Sequence, residues 1–267
     1  MKPNKKHILL TNDDGIESPG LWAAAQELAK IAFVTVAAPR ERCSAMGRGF
    51  GRHDDGRIDK RVKIINDQKW DVYAVGGTPS QTVLHGLFEI VPQKPDLVVS
   101  GINYGENLST DISYSGTVGA AIEAASLSIP ALAASYQILQ EDWDTYFDID
   151  FSIAAHFTRL FAERMLEKQM PPDVHLLNVV IPHAATPKTP WRITRVASGR
   201  YFDPYLIREG TWEDEGRFNA HIKIDESLPA DSDVLTVMKD KLVSVTPVSL
   251  DMTSRVNFQS LDDLLRK

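Results

Sequence analysis

Asp13 and Asp14 stand side by side in the stretch Thr11-Asn12-Asp13-Asp14-Gly15. Two adjacent carboxylates repel each other, and burying them is costly unless a cation or hydrogen bonds compensate. A divalent metal ion is the simplest compensation. The same residues also allow a solvated polar turn with no ligand at all. The flanks say where the pair sits. His7-Ile8-Leu9-Leu10 before it reads as a buried strand, and Ser18-Pro19 after it reads as a helix start with Ser18 as N-cap. The carboxyl end of such a strand is where open α/β sheets bind ligands.

Two further positions offer hard oxygen ligands at corresponding places. Phe33-Val34-Thr35-Val36-Ala37 is a second strand, closed by Pro39, and Ser44 lies early in the loop after it. Leu97-Val98-Val99-Ser100 is another buried strand whose end opens into Gly101-Ile102-Asn103. Asp13, Asp14, Ser44 and Asn103 can therefore converge on one crevice, as a set that suits Mg²⁺, Mn²⁺ or Ca²⁺ rather than a soft ion. After that loop, Ser115-Gly116-Thr117 opens a small-residue helix with Ala120, Ala121, Ile122, Ala124 and Ala125. Free backbone N–H groups and the positive end of a helix dipole make such a start ready for phosphate.

These residues need a scaffold. Strand, helix and strand over the first forty residues form a βαβ unit with a right-handed crossover, its helix running to about Lys30. Val62–Ile65 and Asp71–Val75 read as paired strands around an Asn66-Asp67-Gln68 turn. Thr78-Pro79 starts a helix with Val83, Leu84, Leu87 and Phe88 on one face. Pro130–Ala134 and Leu176–Val180 are strands, and 151–168 is a long amphipathic helix. Glu141–Asp150 is acidic and aromatic and reads as a surface connection. Segment 40–61 is aperiodic and holds Arg40, Arg42, Arg48, Arg52, Arg57 and Arg61. It is either a solvated loop or a mobile basic flap over an anionic substrate. Past Pro187, strands such as Trp191–Val196 and His221–Ile224 alternate with polar loops. No helical pattern returns until Ser260–Leu265. The expected fold is α/β, a Rossmann-like three-layer core with a mostly parallel sheet. We divide it into a catalytic core at 1–185, an extended β-rich arm at 186–242, and a return strand with terminal helix at 243–267. Exposed edges in the arm suit a partner subunit.

Composition narrows the classes. The chain has 267 residues, 43% of them hydrophobic, enough for one large core. A net charge of −7 argues against stable nucleic-acid binding. The single cysteine, Cys43, excludes an internal disulfide and a cysteine-rich zinc site, and the scattered histidines form no His-x-x-x-His pair. The basic N-terminus lacks a long enough apolar run for a signal peptide, and no segment reads as a membrane span, so a cytoplasmic protein is expected.

Taken together, the chain resembles the SurE family, stationary-phase survival proteins that act as 5′-nucleotidases and acid phosphatases. The resemblance rests on Leu9-Leu10-Thr11-Asn12-Asp13-Asp14-Gly15-Ile16, Ser18-Pro19-Gly20-Leu21, Ala38-Pro39 with Ser44, and Gly77-Thr78-Pro79. It is most specific in Pro95-Asp96-Leu97-Val98-Val99-Ser100-Gly101-Ile102-Asn103-x-Gly105-x-Asn107 with Tyr114-Ser115-Gly116-Thr117-Val118. It implies one divalent ion per subunit, Mg²⁺ or Mn²⁺, on Asp13, Asp14, Ser44 and Asn103. It also implies phosphate binding at Asn107, Ser115, Gly116 and Thr117, and a swapped arm giving dimers or tetramers. The implied reaction is hydrolysis of nucleoside 5′-monophosphates, with 3′-nucleotides and short polyphosphate as further substrates. Asp13 or Asp14 would orient or deprotonate the attacking water. Ser80-Gln81-Thr82 stands where family members often have Ala-Asp-Cys, and Ser109 where glycine is common. These departures bear on substrate preference and subunit contacts, not on the ligands.

Rival readings fit less well. A receiver domain would need a phospho-accepting Asp after the Val98-Val99 strand, which instead runs into Ser-Gly-Ile-Asn. A non-catalytic nucleotide-binding protein would keep the crevice, but all four metal ligands are present. A dinucleotide oxidoreductase lacks its Gly-x-Gly-x-x-Gly after the first strand. An aspartyl-phosphate phosphatase would want Asp-x-Asp there.

Overall fold

In the computed structural model, residues 5–51, 54–139 and 148–266 are described. The first strand, β1 (His7–Thr11), shows how the layers arise. Ile8 and Leu10 enter one apolar cluster and Leu9 enters another on the opposite face, following the period of two of a strand buried on both sides. Helices α1 (Pro19–Leu28) and α4 (Ser152–Glu167) contribute to the first cluster. Helices α2 (Pro79–His85) and α3 (Gly116–Ser126) cover the other face.

The remaining strands are β2 (Phe33–Pro39), β3 (Ile58–Ile65), β4 (Gln68–Val75), β5 (Leu97–Tyr104), β6 (Ala131–Tyr136), β7 (Leu176–Ile181), β8 (Trp191–Ile193), β9 (Phe202–Arg208), β10 (Gly216–Ile222) and β11 (Val243–Val248). Together with β1, eight of them form one nine-stranded sheet in the order β3-β4-β2-β1-β5-β6-β7-β11-β8. Strands β4 to β7 run parallel through the middle, while β3 on β4 and β11 on β7 are antiparallel. This is the mostly parallel, layered α/β fold expected. The chain leaves β1 toward β2 on one side and returns to β1's other side as β5. The sheet therefore has its topological switch point between β1 and β5.

Several local expectations are corrected. The first helix ends at Leu28. β5 does not stop at Ser100 but continues through Asn103 to Tyr104, with an irregular register against β6 after Ser100 and Gly101 at φ +136°. The Ala134 carbonyl lies so close that a Cβ at Gly101 would meet it at 2.3 Å. That glycine lets the strand bulge and still keep pairing. Helix α2 stops at His85 and passes into a wide turn over Gly86–Ile90, leaving Phe88 exposed rather than on the buried face.

The basic segment ends at Ile58, where β3 begins, and its arginines are fastened rather than free. Arg40 pairs with Asp55 and Asp59, Arg48 with Glu123, Arg57 with Asp55, Arg61 with Glu17, and Arg42 with Asp14. Arg52 lies outside the described residues, as does most of the acidic aromatic connection, including Trp143, Tyr146 and Phe147.

Within 186–242, β8 joins the main sheet beside β11, and α5 (Asp233–Met238) packs on β11. Only β9 and β10 stand apart, as a two-stranded hairpin. Neither β9 nor α5 was expected from sequence. The final helix, α6 (Phe258–Leu265), buries none of its residues.

Candidate active site

At the end of β1 the chain turns sharply. Asn12 is fully buried, and its side-chain amide donates to the Gly15 carbonyl at 3.0 Å. Ile16 N–H donates to the Pro39 carbonyl at 2.8 Å, which ties the turn to the end of β2. Ser18 then caps α1, its hydroxyl accepting from Leu21 N–H with Pro19 at the first helical position. Between strand and cap, Asp13 and Asp14 are only 5% and 8% exposed.

Asp13 faces the start of α3. Thr117 Oγ1 donates to Asp13 Oδ1 at 2.5 Å. Gly116 lies so close that a Cβ there would sit 2.8 Å from both Cβ and Oδ2 of Asp13. Asp14 faces β5. The backbone N–H of Tyr104 donates to Asp14 Oδ2 at 2.9 Å, and Arg42 Nε lies 3.2 Å from Asp14 Oδ1. The Arg42 guanidinium also stands 5.9 Å from the centre of the Tyr104 ring. Ser44 is exposed, but the loop that carries it is pinned at both ends. Cys43 N–H donates to the Asp13 carbonyl at 2.7 Å, and Gly47 N–H to the Tyr114 carbonyl at 2.8 Å. Ser44 is thus held in a span that reaches from Asp13 to the residue before Ser115.

Asn103 Nδ2 donates to the Gly105 carbonyl at 2.7 Å, which leaves its side-chain oxygen as the end able to ligate a cation. Asn107 Nδ2 donates to Ser135 Oγ at 2.7 Å, fixing the amide with a second N–H to spare. Ser115 caps α3, accepting from Val118 N–H. The hydroxyl proton of Thr117 is committed to Asp13. The Thr117 backbone N–H also faces the Asp13 carboxyl, so what this helix start offers an anion is the Gly116 backbone N–H, which has no partner within the helix, and the positive end of the helix dipole. The structure brings Asp13, Gly116 and Thr117 into direct contact, sets Asn103 beside Tyr104, which bonds Asp14, and anchors Asn107 on β6.

Burial, and for Asp14 also the adjacent Asp13 charge, pushes both carboxyls above the usual carboxylate range. Thr117, the Tyr104 amide and Arg42 offset part of that cost. Thr11 Oγ1, Asn12 Oδ1 and Ser100 Oγ, at the adjoining ends of β1 and β5, are buried with no hydrogen-bond partner among the described residues. Buried oxygens without partners at these strand ends, beside two buried carboxylates that resist joint ionisation, fit a hard divalent cation. No cluster of three or more His, Cys, Asp or Glu occurs among the described residues, so Ser44 and Asn103 are needed to complete such a site. Cys43 supplies no thiolate: burial, and then Asp54, Asp13 and Glu41, push its thiol up to about 11.

Sequence reasoning did not single out Arg42 from its neighbours, nor the Tyr104 backbone N–H, Asn12, Glu106 or Asp111. Of these only Asn12 carries a local signal, as the asparagine opening an Asn-Asp-Asp-Gly turn. Tyr104, Glu106 and Asp111 act through partners 90 or more positions away, and Arg42 is one of several arginines in an aperiodic segment with nothing local to mark it.

Comparison with known proteins identifies the family. The sequence model of the family described as "Survival protein SurE" matches residues 8–203. A protein named 5′-nucleotidase SurE from Methanosarcina acetivorans is 40% identical over 267 residues, covering 97% of each chain. One of the same name from Thermococcus gammatolerans is 39% identical, covering 97% of this chain and 95% of its own. The crystal structure of the SurE protein from Aquifex aeolicus superposes with a TM-score of 0.75 at 30% identity, covering 98% of this chain and all of the other.

Proposed function

The chain belongs to the SurE family, and from that premise we propose that it is a divalent-metal-dependent 5′-nucleotidase that splits nucleoside 5′-monophosphates into nucleoside and phosphate. The observation that carries the reading is the contact between Asp13 and the start of α3. An acidic pair suited to a cation and a helix start suited to a phosphate share one hydrogen bond and one glycine-wide gap. The metal-binding oxygens come from Asp13, Asp14, Ser44 and Asn103. When bound, the ion supplies Lewis-acid activation of water and of the phosphoryl group.

The chain's own residues do the rest. The start of α3 at Ser115, Gly116 and Thr117 holds the phosphoryl oxygens through the Gly116 backbone N–H and the helix dipole, and Asn107 adds a side-chain donor. Ser115, as N-cap, orders that first turn. Asp13, fixed by Thr117, orients the attacking water, and Asp14 receives or relays its proton. Arg42, beside Asp14, balances charge at the cleft mouth until substrate arrives.

The assembly belongs to the same proposal. The β9–β10 hairpin exposes Leu206, Ile207 and Phe218, and α6 exposes Phe258, Leu261, Leu264 and Leu265. A lone two-stranded hairpin is marginal in water. We assign the β9–β10 hairpin of the 186–242 arm and the terminal helix of 243–267 the role of contacting further copies in a homodimer or homotetramer, with 1–185 as the catalytic core and β8 and β11 built into its sheet. Sedimentation showing only monomer at micromolar protein would refute that role. No helix among the described residues is long and apolar enough to cross a membrane, and a cytoplasmic setting goes with this reading.

The activity is tested by phosphate release from 5′- and 3′-nucleotides, an aryl phosphate and a short polyphosphate, each with Mg²⁺, Mn²⁺ or chelator. Metal-dependent release, fastest with a nucleoside 5′-monophosphate, is expected. Release that survives the chelator, or none from folded protein with either ion, refutes the reading.

A further inference from the structure

The loop from Asn103 to Ser115 is fastened on its outer side to the root of the hairpin. Tyr201, 1% exposed and one residue before β9, donates its hydroxyl to Glu106 Oε1 at 2.7 Å. Glu106, itself buried, accepts from Ile138 N–H through its other oxygen at 3.4 Å. Asp111 Oδ2 accepts from the backbone N–H groups of both Tyr201, at 3.0 Å, and Phe202, at 2.7 Å. Ser109 Oγ lies within donating distance of the carbonyls of Ala197 and Gly199, and Thr110 Oγ1 donates to Gly199 as well. Buried Asp233 closes the set, accepting from Ser109 N–H at 2.8 Å and Ala197 N–H at 3.0 Å.

Asn107 sits within this band, one residue from Glu106. On its inner side its carbonyl accepts from Asn178 Nδ2 at 2.9 Å. An apolar side chain at position 106 would pack there without a carboxylate's desolvation cost. The carboxylate adds direction, because a hydroxyl–carboxylate bond fixes both ends of the loop–arm joint.

We propose that Glu106, Asp111 and Tyr201 are positioning residues that set Asn107 for the phosphoryl group from the root of the arm. Affinity for phosphate then depends on that root being seated. The inference rests on the phosphatase reading for the role of Asn107, and none of the three residues touches substrate.

The test uses the full chain with metal and inorganic phosphate as the probe. In Tyr201→Phe only a hydroxyl is lost. The inhibition constant for phosphate and the KM for a nucleoside 5′-monophosphate are expected to rise together, about five- to tenfold, the loss of one well-formed hydrogen bond. The fall in kcat should be smaller. Hydrogen exchange of the 104–111 amides should quicken while β1 stays unchanged. Glu106→Ala should reproduce these changes, and Glu106→Gln, which keeps an acceptor for Tyr201, should restore most of what Glu106→Ala loses. A lowered melting temperature with unchanged phosphate inhibition and unchanged exchange at 104–111 overturns the proposal, leaving a merely structural contact. If the unaltered protein releases no phosphate from any nucleotide, the function reading fails. The exchange comparison still decides whether Tyr201 holds the loop.

Discussion

Replacing Gly116 by alanine separates what the helix prefers from what the site allows. Gly116 is the first residue of α3, after Ser115 as cap. Alanine favours a helix over glycine by up to about 1 kcal/mol, so helix formation alone predicts a small gain in stability. The site predicts a loss. An added Cβ would lie 2.8 Å from Asp13 Cβ and Oδ2, where ordinary contact begins near 3.4 Å. Asp13 or the helix start must therefore move by at least about 0.6 Å, beyond the roughly 0.5 Å within which catalytic groups must be held. A misplacement of about 1 Å is worth on the order of 100-fold in rate. We expect kcat/KM for a nucleoside 5′-monophosphate to fall about 10- to 100-fold. The melting temperature should move by no more than about 4 °C, the shift expected for about 1 kcal/mol in a chain of this size. Phosphate release at saturating Mg²⁺ or Mn²⁺, read beside thermal unfolding, checks both. Wild-type kcat/KM in Gly116→Ala would show that the contact between Asp13 and α3 is not part of the working geometry.

Asp13→Asn should cost activity by orders of magnitude and leave the melting temperature unchanged or higher, since it removes a buried charge but keeps an acceptor for Thr117. A large fall in melting temperature would refute this. Ser109 has φ +59°, in the region that favours glycine, yet its hydroxyl reaches two carbonyls of the arm root. Ser109→Ala keeps the strain and loses the bonds, so it should destabilise by about 2 kcal/mol, whereas Ser109→Gly relieves the strain and should be within about 1 kcal/mol of neutral in denaturant titration. Burial raises the Glu106 carboxyl above its ordinary value near 4.5. Its neutral form is thus favoured by folding. The stability this contributes is full below the unfolded value and is lost as pH rises through the folded one. The drop in melting temperature from pH 4.5 upward should be shallower in Glu106→Gln than in the unaltered protein.

The central strands and the helix starts were legible because they obey local rules. Buried parallel strands read as apolar runs, and Ser18-Pro19 and Thr78-Pro79 are cap signals that the folded chain uses. The proposed metal-binding positions Asp13, Asp14 and Ser44 were legible for the same reason, as they follow strands, whereas Asn103 lies inside β5. What escaped is what tertiary contact decides. β9 includes Asp203 and Pro204 and pairs only with β10, so no burial pattern marks it. α5 has six residues, too few for a helical period to show. The arginines of segment 40–61 could be read as a solvated loop or a basic flap because nothing local shows which carboxylates they meet: Arg40 and Arg57 pair with Asp55 inside the segment, while Arg48 reaches Glu123. Gln81, which sequence showed only as a departure from the family's pattern, has a structural task. It completes a capping box with Thr78 and also accepts from Gly51 N–H, tying that segment to α2.

The bonds from Thr117 to Asp13 and from Tyr104 to Asp14 close loops of 104 and 90 residues. Long loops close late, because ordering the intervening chain has to precede the contact that rewards it. Until β5 and α3 have docked beside β1, the two carboxylates lack the donors of Tyr104 and Thr117 and are better left in water. The acidic pair thus opposes premature collapse of the sheet's centre, and its burial marks the moment when the middle of the molecule is finished.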